Sequence, residues 1–150
     1  MRVSELFRKP PATLPADATL SDAATLMDEK VVGAIVVVDD GRPVGIVTDR
    51  DIVLRGVANR LPSDARIDAV MSTDLVTIPA GADLTVAVGV FEERDFRRLP
   101  LVDIDDRVVG MITVDDLVVH EVAAFSRLLR PVVGQVLFGH PEPKVPVPQA

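Results

Sequence analysis

The sequence predicts an α/β (α+β) protein made of two β-α-β-β-α repeats that pack on each other through their sheets. Three observations carry this prediction. Sliding the chain by 64 positions lays "TLPADATLSDAATLMDEK" from Thr13 over "TIPAGADLTVAVGVFEER" from Thr77, and 14 of 37 positions are identical over Thr13–Asp39 and Val44–Val53. In each copy an apolar stripe at helical spacing is followed by two β-branched runs. Finally, "GIVTDRDIV" (Gly45–Val53) recurs as "GMITVDDLV" (Gly110–Val118), where the offset has moved to 65. Self-similarity at this density implies that both halves take one fold.

The elements follow in order. "SELF" and "IDAVM" are equivalent lead-in turns, and "ATLP" and "VTIP" are brief strands. Leu20, Ala23, Ala24 and Met27 recur at i, i+3, i+4 and i+7, as do Leu84, Ala87, Val88 and Phe91. Each set is the apolar face of an amphipathic helix, with Thr19 or Ser21 as the first cap and Asp83 or Thr85 as the second. "AIVVVDDGRPVGIVT" reads as a hairpin turning through Asp40 and Gly41, a pair suited to positive φ, and "RLPLVDIDDRVVGMIT" as its counterpart with a looser turn. A further helix closes each copy, short in the first and longer in the second. The expected organisation is 1–62 for the first repeat with its lead-in and linker, 63–130 for the second with an extended helix, and 131–150 for a proline-rich, partly disordered tail. A unit of about 60 residues buries too little surface to stand comfortably alone, so the mutual face of the repeats is the expected core.

Composition narrows the function. With 150 residues and 48% hydrophobic content, one good core is possible and two large domains are not. The 16 basic against 23 acidic residues give a net charge of −7, which repels a phosphate backbone, so nucleic acid is not an expected partner. The absence of cysteine removes disulfide frameworks and thiolate metal sites. "MRVSELFRKPP" lacks the apolar segment of a signal peptide, and "FSRLLRPVVGQVLFG" is interrupted by Arg127, Arg130 and Pro131. A cytoplasmic protein with no membrane span is expected.

The doubled Gly-h-h-Thr-x-x-Asp pattern admits two readings. In one, Thr48 and Thr113 cap the following helices while Asp51 and Asp116 complement the positive end of the dipole. In the other, the same geometry serves a ligand: helix amides and a threonine hydroxyl meet an anion, and the aspartate carboxylate accepts from both hydroxyls of a ribose. Gly45 and Gly110 would then let a planar group approach the backbone. A nucleoside phosphate fits this second reading.

The repeat, its period and the pair "GIVTDRD" and "GMITVDD" resemble a tandem pair of CBS domains, the regulatory unit called a Bateman module, over roughly residues 1–125. The resemblance implies pseudo-twofold symmetry between the repeats and two clefts that take adenine-containing ligands such as AMP, ADP, ATP or S-adenosylmethionine. It implies that Asp51 and Asp116 hold ribose hydroxyls, with Thr48 and Thr113 near ribose or phosphate. Family members also place basic residues before the second strand to meet phosphates, and "RRLPLVD" supplies Arg97 and Arg98. The first repeat departs from this pattern, with Gly33 and Ala34 at the equivalent positions. Arg50 lies inside the first motif, where its counterpart is Asp115, and is a further candidate for a cleft. The two clefts are therefore expected to differ in phosphate affinity. The plainer reading of Arg97 and Arg98 is a solvated pair bridged to Glu92, Glu93 or Asp95, and of Arg50 a surface helix residue.

No catalytic or metal site is expected. His120 and His140 stand alone, the serines fall at caps, linkers or turns, and no HExxH, EF-hand or phosphate-loop pattern occurs. The leading expectation is a module that senses adenine nucleotides and signals to an effector protein. The alternative is a ligand-independent dimerisation or scaffold protein whose threonines and aspartates are only caps. An enzyme using cleft carboxylates is the weakest of the three. A homodimer is expected because Val118, Val122, Phe125 and Leu129 form an apolar stripe continuing beyond the motif helix. Bateman modules that this chain resembles commonly pair through their helical faces.

Overall fold

The structure is a computed structural model and describes residues 1–6 and 10–138. The chain divides into two compact units, Met1–Val114 and Asp115–Ala150. The first unit holds both sheets. β1 (Thr13–Pro15), β2 (Ala34–Asp39) and β3 (Arg42–Thr48) form one three-stranded sheet in that order, with α1 (Leu20–Lys30) between β1 and β2. β4 (Ile78–Pro79), β5 (Arg98–Val102) and β6 (Val108–Thr113) form the other, with α3 (Leu84–Glu93) between β4 and β5. In each sheet the first pair is parallel and the second antiparallel. The strand register shifts between Val37 and Val38 in one copy and between Leu101 and Val102 in the other, the same place under the 64-residue offset. The extra residue that moves the offset to 65 is absorbed by the Asp103–Arg107 turn, where the Asp103 carboxylate accepts from the amides of Asp105 and Arg107.

The helices begin where the polar residues can satisfy free amides. Thr19 caps α1 by accepting from the Asp22 amide, and the Asp22 carboxylate accepts from the Thr19 amide in return. These bonds hold the Asp22 carboxyl below its ordinary pKa. Asp83 caps α3, accepting from the Thr85 amide at 3.0 Å and from its hydroxyl at 2.9 Å. Behind the caps, Leu20, Ala23 and Met27 of α1 meet Ile35, Val37 and Val47 of the sheet in the first core.

β2 and β5 are buried on both faces. Ile35 and Val37 point into the first repeat's own core, and the alternate residues Ala34 and Val36 are also buried; Leu99 and Leu101 alternate with buried Pro100 and Val102 in the same way. A strand hydrophobic on both sides needs cover on both, and the two repeats supply it by packing sheet to sheet. At the hairpin ends the Val108 amide donates to the Gly41 carbonyl, Arg107 pairs with Asp40 at 3.2 Å, and Arg42 Nε donates to the Asp105 carbonyl. Gly41 sits at φ 78°, as the Asp-Gly turn requires.

The lead-in turns are exchanged between repeats. The Val3 amide donates to the Ala82 carbonyl of the second repeat, and the Ile67 amide to the Ala18 carbonyl of the first. The Leu84 amide reaches the Met1 carbonyl as the Leu20 amide reaches that of Ala65. Every partner pair maps on the other under the 64-residue shift, which is the pseudo-twofold relation in hydrogen bonds. Val3 and Ile67, an equivalent pair under the same shift, are completely buried.

The closing helices differ. After β3 the chain makes one α-turn, α2 (Asp49–Asp51), and widens into a π-helical stretch over Ile52–Val57. After β6 it forms α4 (Val114–Phe138), 25 residues long. α4 thus continues through Pro131, past the expected boundary at Arg130. The rest of the expected proline-rich tail, from residue 139, lies outside the described residues. No helix among the described residues is long and apolar enough to cross a membrane.

Candidate functional site

The first motif is a complete capping box. Thr48 leaves β3 with extended backbone, and its hydroxyl oxygen accepts from the Asp51 amide at 3.1 Å. One carboxylate oxygen of Asp51, Oδ2, accepts from the Thr48 amide at 2.9 Å and from the Thr48 hydroxyl at 2.8 Å. The other, Oδ1, faces the Arg55 guanidinium at 3.7 Å, and the Asp51 side chain is only 16% exposed. A carboxylate has about four lone-pair sites, so acceptor capacity is left over. The local geometry is therefore that of a cap, and it leaves a half-buried, aligned carboxylate at a strand-to-helix junction.

Arg55 does more than face Asp51. Its Nη1 donates to the Val70 carbonyl at 2.9 Å and to the Ser72 hydroxyl at 3.1 Å. It therefore ties the motif helix of the first repeat to the lead-in segment of the second. That segment pairs antiparallel with the outer edge of β3 at Ser72, which exchanges two backbone bonds with Ile46, at 2.8 and 2.9 Å. What approaches Gly45 is this segment: a Cβ there would lie 2.7 Å from Met71 Sδ and 3.0 Å from the Ser72 carbonyl. The glycine expected to admit a planar group admits the lead-in segment of the second repeat.

Asp49 occupies the other side of the junction. Its amide donates to the Gly33 carbonyl, and its Oδ2 lies 3.1 Å from where a Gly33 Cβ would be. Its Oδ1 accepts from the Arg50 amide at 2.8 Å. Arg50 itself is exposed, as a surface helix residue would be.

In the second copy Thr113 ends β6, and Asp116 is the third residue of α4, the spacing of Thr48 and Asp51. Arg98 pairs across the sheet with Thr113, as Ala34 pairs with Thr48. The Val114 amide donates to the Arg97 carbonyl, the counterpart of the Asp49 to Gly33 bond. The fold thus brings Arg97, Arg98 and Thr113 to one end of the second sheet. The Arg94 guanidinium lies 5.9 Å from the Phe96 ring centre, just before them. A separate cleft of about 380 Å³ is lined by Arg42, Pro43 and Val44 of the first repeat and by Thr77, Val102 and Asp106 of the second. It contains none of the motif residues. Among the described residues there is no cluster of three His, Cys, Asp or Glu placed to hold a metal ion.

Two copies of one sheet order, one shifted register and one Thr-x-x-Asp junction define the repeat. The CBS domain family model matches the chain twice, over residues 3–57 and 67–122. The chain belongs to the CBS domain family. Over 112 residues this CBS pair is 38% identical to the CBS domain-containing protein YhcV of Bacillus subtilis (strain 168), a match covering 75% of this chain and 79% of that protein. Among solved structures it is similar to CBS domain protein PAE2072 from Pyrobaculum aerophilum complexed with AMP. That match has 28% identity and a TM-score of 0.70, and covers 83% of this chain and 99% of the other. A CBS domain pair of protein MJ0100, solved with 5′-methylthioadenosine and S-adenosyl-L-methionine, shares the fold at 23% identity and a TM-score of 0.73, covering 83% of this chain and 98% of the other.

The sequence did not single out Arg55, Asp49 or the pairing at Ser72. Arg55 stands four residues after Asp51, the spacing of an ion pair along a helix, and that signal was legible. Asp49 and the Ser72 pairing depend on which segments meet, and spacing within one motif carries no trace of them.

Proposed function

We propose that this CBS pair is a regulatory module that binds adenine-containing ligands, AMP, ADP, ATP or S-adenosylmethionine, and passes their presence to an effector protein. It has no catalytic activity of its own and works in the cytoplasm. In this reading Asp51 and Asp116 hold ribose hydroxyls, Thr48 and Thr113 lie beside them, and Arg97 and Arg98 meet phosphate, with Arg50 a lesser contact. The observation that carries it is the half-buried Asp51 carboxylate, aligned by Thr48 at the junction and with acceptor capacity left over. The AMP complex of the Pyrobaculum relative supports the ligand class. The test is thermal unfolding of the full chain with each of the four ligands. A ligand that binds only the native state at about 100 times its Kd adds about 2.7 kcal/mol of stability, which raises the Tm by several degrees. A Tm unmoved by all four would leave the scaffold reading, which the complete Thr48–Asp51 capping box favours.

The proposed module is a homodimer through α4. Val118, Val119, Val122, Phe125, Leu128 and Leu129 are all exposed on this helix, Phe125 by 61%. Val118, Val122, Phe125 and Leu129 follow one another at steps of four, three and four, a single stripe. A twofold contact covers such a stripe with its own copy. Phe125→Glu with Leu129→Glu should convert a sedimenting dimer to a monomer while the circular dichroism of helix and strand is retained. A wild-type chain that sediments as a monomer across a hundredfold range of concentration removes the basis for the dimer.

A further inference from the structure

Arg55 bridges two segments that the sequence keeps apart. Its Nη2 faces Asp51 Oδ1 at 3.7 Å, a distance too long for a hydrogen bond, so charge alone holds the pair. Its Nη1 donates to the Val70 carbonyl at 2.9 Å and to the Ser72 hydroxyl at 3.1 Å, in the lead-in segment of the second repeat. In that segment Ile67 and Val70 are buried, and the Met71 amide donates to the Ile67 carbonyl. Ser72 exchanges two backbone bonds with Ile46, and the chain then runs on to β4 at Ile78. Gly56, the residue after Arg55, also faces the segment: a Cβ there would lie 3.9 Å from Val70 Cγ1. Two kinds of contact therefore join the motif helix to the second repeat. The packing at Gly56 is indifferent to charge, and the bridge through Arg55 is not.

We infer that Arg55 reports occupation of the Asp51 carboxylate to the second repeat, by clamping Val70 and Ser72 more tightly when a ligand is bound. It is a positioning residue and touches no ligand itself. This inference rests on the proposed binding of a ribose at Asp51. Its physical basis is the water around the ion pair. The Arg55 side chain is 51% exposed and that of Asp51 16%, so solvent screens the attraction between them. A nucleoside seated on Asp51 displaces part of that water, and the same two charges attract more strongly as the surrounding dielectric falls. Lone pairs left on Oδ1 let a ligand hydroxyl and the guanidinium share it. The carboxylate has little freedom to move, since Oδ2 is bound to the amide and hydroxyl of Thr48. The guanidinium is a rigid plane, so fixing Nη2 against Asp51 also fixes Nη1 against Val70 and Ser72. Linkage makes the effect mutual: the factor by which a ligand tightens this grip is the factor by which the grip tightens the ligand.

The experiment is hydrogen exchange at the Met71 and Ser72 amides of the full chain, with and without saturating AMP or S-adenosylmethionine, beside calorimetry of the same samples. In the wild type a ligand bound at Asp51 should slow both amides about tenfold. Without ligand, Arg55→Leu should speed them by about the same factor, because two hydrogen bonds from a charged donor are lost. Arg55→Leu should still bind, about tenfold more weakly, and the ligand should then protect neither amide. Arg55→Lys keeps the charge but has no fork to span Asp51, Val70 and Ser72 together, so it should behave as Arg55→Leu does. Ser72→Ala removes one acceptor of Arg55. It should weaken the ligand about threefold in the wild type and leave it unchanged in the Arg55→Leu background, which a merely structural role for Arg55 would not produce. Ligand protection of Ser72 that is absent from the wild type, or equal in the wild type and Arg55→Leu, overturns the inference and leaves the nucleotide reading standing. A ligand whose affinity is unmoved by Asp51→Asn overturns it too, because that ligand does not occupy this carboxylate. If neither probe binds the wild-type chain, the nucleotide reading fails and takes this inference with it.

Discussion

Gly45→Val should lower the melting temperature by on the order of 10 °C. A hydrogen of Gly45 faces the second repeat's lead-in segment, where a Cβ would lie 2.7 Å from Met71 Sδ, 3.0 Å from the Ser72 carbonyl and 3.2 Å from Met71 Cγ. The methionine sulfur can swing aside, but the carbonyl belongs to a backbone held by two bonds to Ile46. Either those bonds break or the sheet shifts, and overpacking of this kind costs about 1–3 kcal/mol, with a branched side chain at the upper end. For a chain of this size about 3 kcal/mol corresponds to on the order of 10 °C. Gly89 makes the control. It lies within α3 with nothing within 4 Å of its would-be Cβ. Gly89→Ala should therefore raise stability by about 0.5–1 kcal/mol. Differential scanning calorimetry of both variants checks the contrast. A Gly45→Val protein that melts with the wild type, and whose Ser72 amide exchanges no faster, would show that the Ser72 pairing does not constrain the glycine.

This glycine marks the limit of what was legible in the sequence. The fold could be read because both copies carry the same apolar spacings, and two independent readings of one pattern check each other. The helices at Leu20 and Leu84, the hairpin through Asp40 and Gly41 and the sheet-to-sheet packing all rest on local period and composition. What could not be read depends on which segments meet. The two lead-in turns are equivalent in sequence, so nothing in it tells whether each serves its own repeat or the other. The structure exchanges them, at Val3 to Ala82 and Ile67 to Ala18. Gly45 was legible as a position intolerant of side chains, but the occupant of that space, Met71 with Ser72, lies 26 and 27 residues further on. Local rules were also overridden. α1 ends at Val31 with φ 55°, a conformation a β-branched residue rarely takes, and the glycine that suits it comes two positions later. α4 passes through Pro131 although an interior proline costs it a hydrogen bond.

The same reasoning gives the largest expected effect on binding. Asp51→Ala and Asp116→Ala should each remove most of the affinity of one junction for AMP, and the double variant should bind none at concentrations that saturate the wild type. Hydrogen bonds to a charged group are worth about 1.5–3 kcal/mol each, so the loss of one carboxylate amounts to about 10–100-fold. Asp51 also holds the Thr48 amide and hydroxyl, so Asp51→Ala loses a cap as well, at about 1 kcal/mol of stability. That loss lowers the Tm by only a few degrees and cannot by itself abolish binding. Asp51→Asn separates the two effects: its amide oxygen can still accept from Thr48, while the charge that a diol would meet is gone. If the carboxylate serves only as a cap, Asp51→Asn should bind AMP like the wild type, and a double alanine variant should do so once corrected for stability. If it serves the ligand, Asp51→Asn should lose affinity while its melting curve stays close to that of the wild type. Calorimetry of AMP binding beside thermal unfolding of the same samples decides between them, because a cap and a ligand acceptor share one oxygen pair but respond differently to loss of charge.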